Sequence, residues 1–112
     1  MKTITVIALI TILTGCSGMV KGGALIGAEK ALKAEQYDEA LSKAEVAEHL
    51  MGDLSRDKKA KINYIRGEAL EGLGRRDEAI ARFRYVADQL KGTPHAYLAR
   101  AKLESIREAS QD

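Results

Sequence analysis

The chain has 112 residues and a formal net charge of +2, a length that allows a single domain. Charge this balanced argues against nucleic-acid binding, which uses a concentrated basic face. A single cysteine excludes an internal disulfide.

Composition favours helices. Ala, Leu, Glu, Lys and Arg dominate, with one Pro, one Phe and no Trp, and unbranched side chains lose little rotamer freedom in a helix. Much of the apolar content is alanine, so the expected core is thin and closely packed.

The chain opens with Met1-Lys2-Thr3 and then an apolar run from Ile4 to Leu13. About ten apolar residues are too few to cross a bilayer, which takes roughly 20, and suit the centre of a secretory signal. The run ends in Leu13-Thr14-Gly15-Cys16. This tetrapeptide resembles the lipobox of bacterial lipoproteins. The resemblance implies cleavage between Gly15 and Cys16, a diacylglycerol thioether on the Cys16 sulfur, and acylation of its freed amino group. Several chains on one residue anchor stably where one alone is marginal. The covalent lipid is the only attached group expected, and no cofactor is expected. Ser17, in place of the Asp that retains such proteins in the enterobacterial inner membrane, implies the periplasmic face of the outer membrane. Without residues 1–15 the charge falls to +1, from 17 basic and 16 acidic residues. Residues 16–23, with three glycines and Ser17, read as the lipidated cysteine and a flexible tether.

Residues 24–112 form the expected domain. Apolar residues at three-and-four spacing mark five helical faces. The first carries Leu25, Ala28 and Leu32; the second, Tyr37, Ala40, Leu41, Ala44, Ala47 and Met51. Ile62, Ile65, Ala69 and Leu73 mark the third, and Ala79, Ile80, Phe83, Val86, Ala87 and Leu90 the fourth. Ala99, Leu103 and Ile106 mark the last. Breaks fall at Glu35-Gln36, Gly52-Asp53, Gly74 and Gly92-Thr93-Pro94. In the last of these Gly92 ends one helix, Thr93 caps the next, and Pro94 suits its first turn.

The chain also repeats itself. Gln36-Tyr37-Asp38-Glu39-Ala40-Leu41 corresponds to Arg75-Arg76-Asp77-Glu78-Ala79-Ile80, 39 residues later. In both, Asp-Glu opens a helix, where carboxylates favour the positive end of the dipole. Gly67, Leu73-Gly74, Ala79 and Phe83 resemble the tetratricopeptide repeat. In the first unit Ala28 takes the small position and Ala44 replaces the aromatic. Three departures stand out: a spacing of 39 rather than 34, no proline after the first unit, and Val86 where the family favours Ala. The excess length falls to a polar linker over Met51–Lys59.

The resemblance covers residues 24–106. It implies an all-α fold of antiparallel helical hairpins in a short solenoid, about five helices with the last as a cap. In that family one helix of each hairpin lines a concave groove, which here points to Lys61, Tyr64, Glu68 and Glu71.

No catalytic or metal constellation stands out. His49 and His95 lack ligand-spaced partners, and surface placement is expected for both. Asp38/Glu39 and Asp77/Glu78 have a structural explanation at helix starts, and no phosphate loop or nucleophile elbow is present. No enzyme is expected. Charge is uneven, however: residues 24–57 carry eight acids and four bases, whereas Arg75, Arg76, Arg82 and Arg84 crowd the second unit. These arginines are candidates for meeting an acidic protein, an anionic glycan or a lipid surface.

The expected function is a lipid-anchored interaction module. It would be an adaptor, scaffold or pilotin-like accessory factor of a cell-envelope machine, its partner an envelope protein or peptide segment. The alternative is a structural or homeostatic lipoprotein binding peptidoglycan or the membrane surface. Exposed ends also allow self-association.

Overall fold

A computed structural model describes residues 20–50 and 52–111, with side chains from Gly23 onward. Cys16, the lipobox and Met51 lie outside the described residues. The rest is five helices, with no strand among the described residues: α1 (Val20–Lys33), α2 (Tyr37–Leu50), α3 (Arg56–Gly72), α4 (Arg76–Gln89) and α5 (Pro94–Ala109).

Each expected helix and break is present, and the caps explain most of the boundaries. Asp38 and Glu39 sit in the first turn of α2, and Asp77 and Glu78 in that of α4. Ser55 caps α3 by accepting from the Lys58 amide. Thr93 caps α5 by accepting from the Ala96 amide, with Pro94 in the first turn. Gly74 and Gly92 take positive φ (77° and 85°) where α3 and α4 end, a conformation that costs glycine no Cβ clash. Glu35 takes the corresponding position after α1 at φ 59° without that freedom.

Two boundaries differ from the sequence reading. Helix α1 begins at Val20, so residues 20–23, assigned to the tether, are helical despite two glycines. Helix α3 begins at Arg56, which shortens the expected 51–59 linker. The Ser55 cap lies within that polar stretch and starts the helix there, and charge alone does not oppose a helix.

Each helix packs on the next, and α1 also meets α3 while α3 meets α5. Helices α2 and α4 do not approach each other this closely. Antiparallel hairpins in series thus form a short solenoid. Its odd-numbered helices make the tighter inner face, and α2 and α4 splay on the outer one.

Small residues set that spacing. Ala28, Ala44 and Ala47 pack with Ile62 and Ile65 where the first hairpin meets α3. Phe83 and Val86 fill the core of the second unit beside Ala69, Ala79 and Ala99. An ideal Cβ on Gly67 would stand 2.5 Å from Phe83 Cε1, so only glycine lets the ring lie against the α3 backbone.

Candidate functional site

The inner face brings together all four residues expected to line it. Lys61 of α3 reaches back to Glu29 of α1, Nζ to Oε1 2.6 Å. Glu71 and Glu68 of α3 face Lys102 of α5 at 2.8 and 3.9 Å. Tyr64 stands between these ion pairs. Its ring is tilted against Phe83 on one side and His95 on the other, with both centroids 5.5 Å away.

Tyr64 is therefore half-buried and joined to the core. Where Glu68 and Glu71 meet Lys102, the face opens into a shallow cavity of about 380 Å³. Leu32, Lys33, Tyr37, Glu68, Glu71 and Lys102 are among its lining residues.

The electrostatics follow from this crowding. Burial raises the Glu68 carboxyl above its ordinary value; Lys102 opposes that and Glu71 reinforces it. Burial and then Glu68 raise the Tyr64 hydroxyl. Burial alone would lower the Lys102 ammonium, but the hydrogen bond it donates to Glu71 and its acidic neighbours outweigh that, and the net shift is upward. His95 is lowered by burial first and by Lys61 second, against Asp57 and Glu29. Surface placement holds for exposed His49 but not for His95, which packs on Tyr64. The sequence separation of 31 residues hid that contact.

The four arginines do not form one patch. Arg75 and Arg82 face the seam between α2, α3 and α4, lining a cavity of about 160 Å³ with Glu45 and Arg66. There Arg75 pairs with Glu78 (Nη2 to Oε1, 2.9 Å). Arg82 donates from Nη1 to Asn63 Oδ1 at 3.2 Å. Arg76 and Arg84 lie on the opposite seam, between α4 and α5, where Arg76 donates to the Ile106 carbonyl at 2.8 Å. That bond places a cation at the C-terminal end of α5, where the dipole favours it. The four arginines that crowd the second unit thus divide into two separate pairs.

No protein-family model, curated protein or solved structure matches this chain.

Several residues of these surfaces escaped the sequence reading. Asn63 is fully buried within α3, donates to the Lys59 carbonyl at 2.9 Å and accepts from Arg82. Its signal was a polar residue between Ile62 and Ile65, within an apolar run. Arg66 bridges to α2, with Nη1 2.5 Å from Glu48 and Nη2 3.7 Å from Glu45; its buried Nε has no hydrogen-bond partner. Glu29, Lys102 and His95 join the inner face only because α1 and α5 flank α3.

Among the described residues, no group of three His, Cys, Asp or Glu side chains is placed to hold a metal ion. None of the described helices is long and apolar enough to cross a membrane.

Proposed function

We propose that this protein is a lipid-anchored, non-catalytic adaptor whose inner face holds a segment of a cell-envelope protein. The observation that carries the reading is the alignment of α1, α3 and α5 into one continuous face, with Tyr64 between two interhelix ion pairs. Glu68, Glu71 and Lys102 offer acceptors and a donor above the cavity floor. An extended or helical peptide can exchange its own polar groups with these partly exposed ion pairs. The partly exposed aromatic supplies contact area at low entropic cost.

The anchor rests on Leu13-Thr14-Gly15-Cys16 and its resemblance to a lipobox. In this reading Cys16 is an address and an anchor, and the solenoid acts close to the periplasmic face of the outer membrane. The alternative, arginine-led binding to peptidoglycan or anionic lipid, draws less support, because the four arginines divide between two seams.

Two measurements test the proposal. Metabolic labelling with an alkyne fatty acid should mark the chain and fail on Cys16→Ser; an unlabelled parent chain removes the anchor. Crosslinking in intact envelopes, followed by recovery of the full chain, should enrich a protein partner over an unrelated lipoprotein. Charge reversal at Glu71 should reduce that yield. If no partner is enriched, the adaptor reading fails.

A further inference from the structure

Three of the five exposed large apolar side chains among the described residues lie on the first hairpin. They are Ile26 of α1 (55% exposed) with Val46 (41%) and Leu50 (38%) of α2. Val46 and Leu50 follow Lys43 by three and seven residues and so form one stripe along α2. The aliphatic stem of Lys43 lies over Gly27, the neighbour of Ile26, with Cδ 3.0 Å from an ideal Cβ there. This contact joins the stripe to α1. At Gly23, one turn away, a Cβ would meet nothing within 4 Å, so the α1 side of the face is bare backbone.

Helix α3, the hairpin's other neighbour, packs on the opposite side, where Ile62 and Ile65 meet Ala28, Ala44 and Ala47. It also draws in the acids: Glu29 pairs with Lys61, while Glu45 and Glu48 turn to Arg66. Glu45 and Glu48 are the only acids of residues 43–50, and residues 23–27 have none. Lys43 is neutralised by Glu39 at 2.7 Å. The face is therefore apolar and without excess charge of either sign.

The same face lies beside the lipobox cysteine. The hairpin is antiparallel, so from the contact of Gly27 with Lys43, α1 runs back seven residues to Val20 and α2 runs on seven to Leu50. Leu50 is thus level with the start of α1. Cys16 stands four residues before Val20, and four residues span at most about 14 Å. A lipid on Cys16 holds Leu50 and Val46 within reach of the headgroups, whatever path those four residues take.

We propose that the face of Ile26, Val46 and Leu50 docks on the bilayer that holds the anchor, its side chains entering the boundary between headgroups and acyl chains. The proposal rests on the anchor of the reading above and not on what the inner face binds. Clustered exposed apolar side chains mark interaction surfaces, and beside a lipid anchor the nearest apolar phase is the membrane. Without excess charge the contact needs no anionic headgroup and resists salt. Docked in this way, the first hairpin lies on the bilayer and α3 and α5 stand off it, with Tyr64 and Lys102 clear of the surface.

An introduced tryptophan tests this, since the chain has none. The full lipidated chain carrying Val46→Trp is reconstituted in phosphatidylcholine vesicles that contain a lipid with a nitroxide near the top of its acyl chain. Its emission should shift to the blue and be quenched, at low and high salt alike. A tryptophan placed instead at exposed Ser105 of α5 should stay unquenched. Adding Ile26→Asp and Leu50→Asp to Val46→Trp should lower the ratio of docked to free chain about tenfold. Flotation of the same vesicles separates this proposal from the anchor. A floating chain whose quenching is absent, equal at both positions, abolished by salt or indifferent to the two Asp substitutions overturns the docking face alone. A blue shift without quenching means that protein, a second copy included, covers the face, and it overturns the proposal too. A chain that does not float overturns the anchor and the docking face with it.

Discussion

Phe83 occupies the space that a side chain on Gly67 would need: the would-be Cβ lies 2.5–2.9 Å from three ring atoms, and the ring is fully buried. Ordinarily alanine gains about 1 kcal/mol over glycine inside a helix. Here overpacking of about 1–3 kcal/mol opposes that gain, because Phe83 has no free space to move into. We predict that Gly67→Ala destabilises the protein and that Phe83→Ala costs about 3–5 kcal/mol. In the Phe83→Ala background, Gly67→Ala should become neutral or stabilising. Urea unfolding of the four proteins measures this coupling, and additive effects would contradict it.

Gly72 offers a contrast. Its would-be Cβ stands 2.5 Å from the ring of Tyr37, which is only half-buried. Tyr37 can swing outward, so Gly72→Ala should cost less than Gly67→Ala in the same urea titration.

The two helix caps should differ in strength. Thr93 is 2% exposed, accepts from the Ala96 amide and donates to the Leu90 carbonyl at 2.7 Å. Ser55 is exposed and makes one cap bond at 3.3 Å. Cap removal costs about 0.5–2 kcal/mol, and Thr93→Ala should lie at the upper end with Ser55→Ala at the lower. Chemical denaturation resolves the difference, and equal losses would refute the ordering.

Arg82 and Asn63 should be coupled. Removing Arg82 leaves the buried Asn63 Oδ1 without its donor, and a buried group left unpaired costs about 1–3 kcal/mol. Arg82→Ala should therefore destabilise the parent chain more than it destabilises Asn63→Ala. A double-mutant cycle with no interaction energy would exclude the coupling.

The pH dependence has two opposed parts. His95 is held below its ordinary 6.5, so the unfolded chain binds the proton first. Stability is therefore lost as pH falls from about 6.5 toward the folded value. Glu68 is held above its ordinary 4.5, so the folded chain keeps that proton longer. Its contribution is lost as pH rises from 4.5 through the folded value. Thermal melts across pH 4–7 should show a shallower decline below pH 6.5 for His95→Gln than for the parent. Glu68→Gln should remove the opposing part at lower pH. Identical profiles for parent and His95→Gln would contradict the first assignment.

The helices, their breaks and the Thr93-Pro94 start were legible in the sequence because their causes are local. Apolar spacing, glycine at positive φ and cap side chains act within a few residues. Even the division of the arginines was present in the spacing: Arg75 and Arg82, seven apart, share a face at 3.6 residues per turn. What each face meets was not legible. His95 lies against Tyr64, Lys102 against Glu71, and Arg76 against the Ile106 carbonyl, each pair separated by about 30 residues of chain. Periodicity orients a side chain within its own helix and carries no information about the helix opposite. Which helices lie side by side, and so which charges pair and which groove stays open, was decided by the close alanine and glycine packing of the tertiary structure.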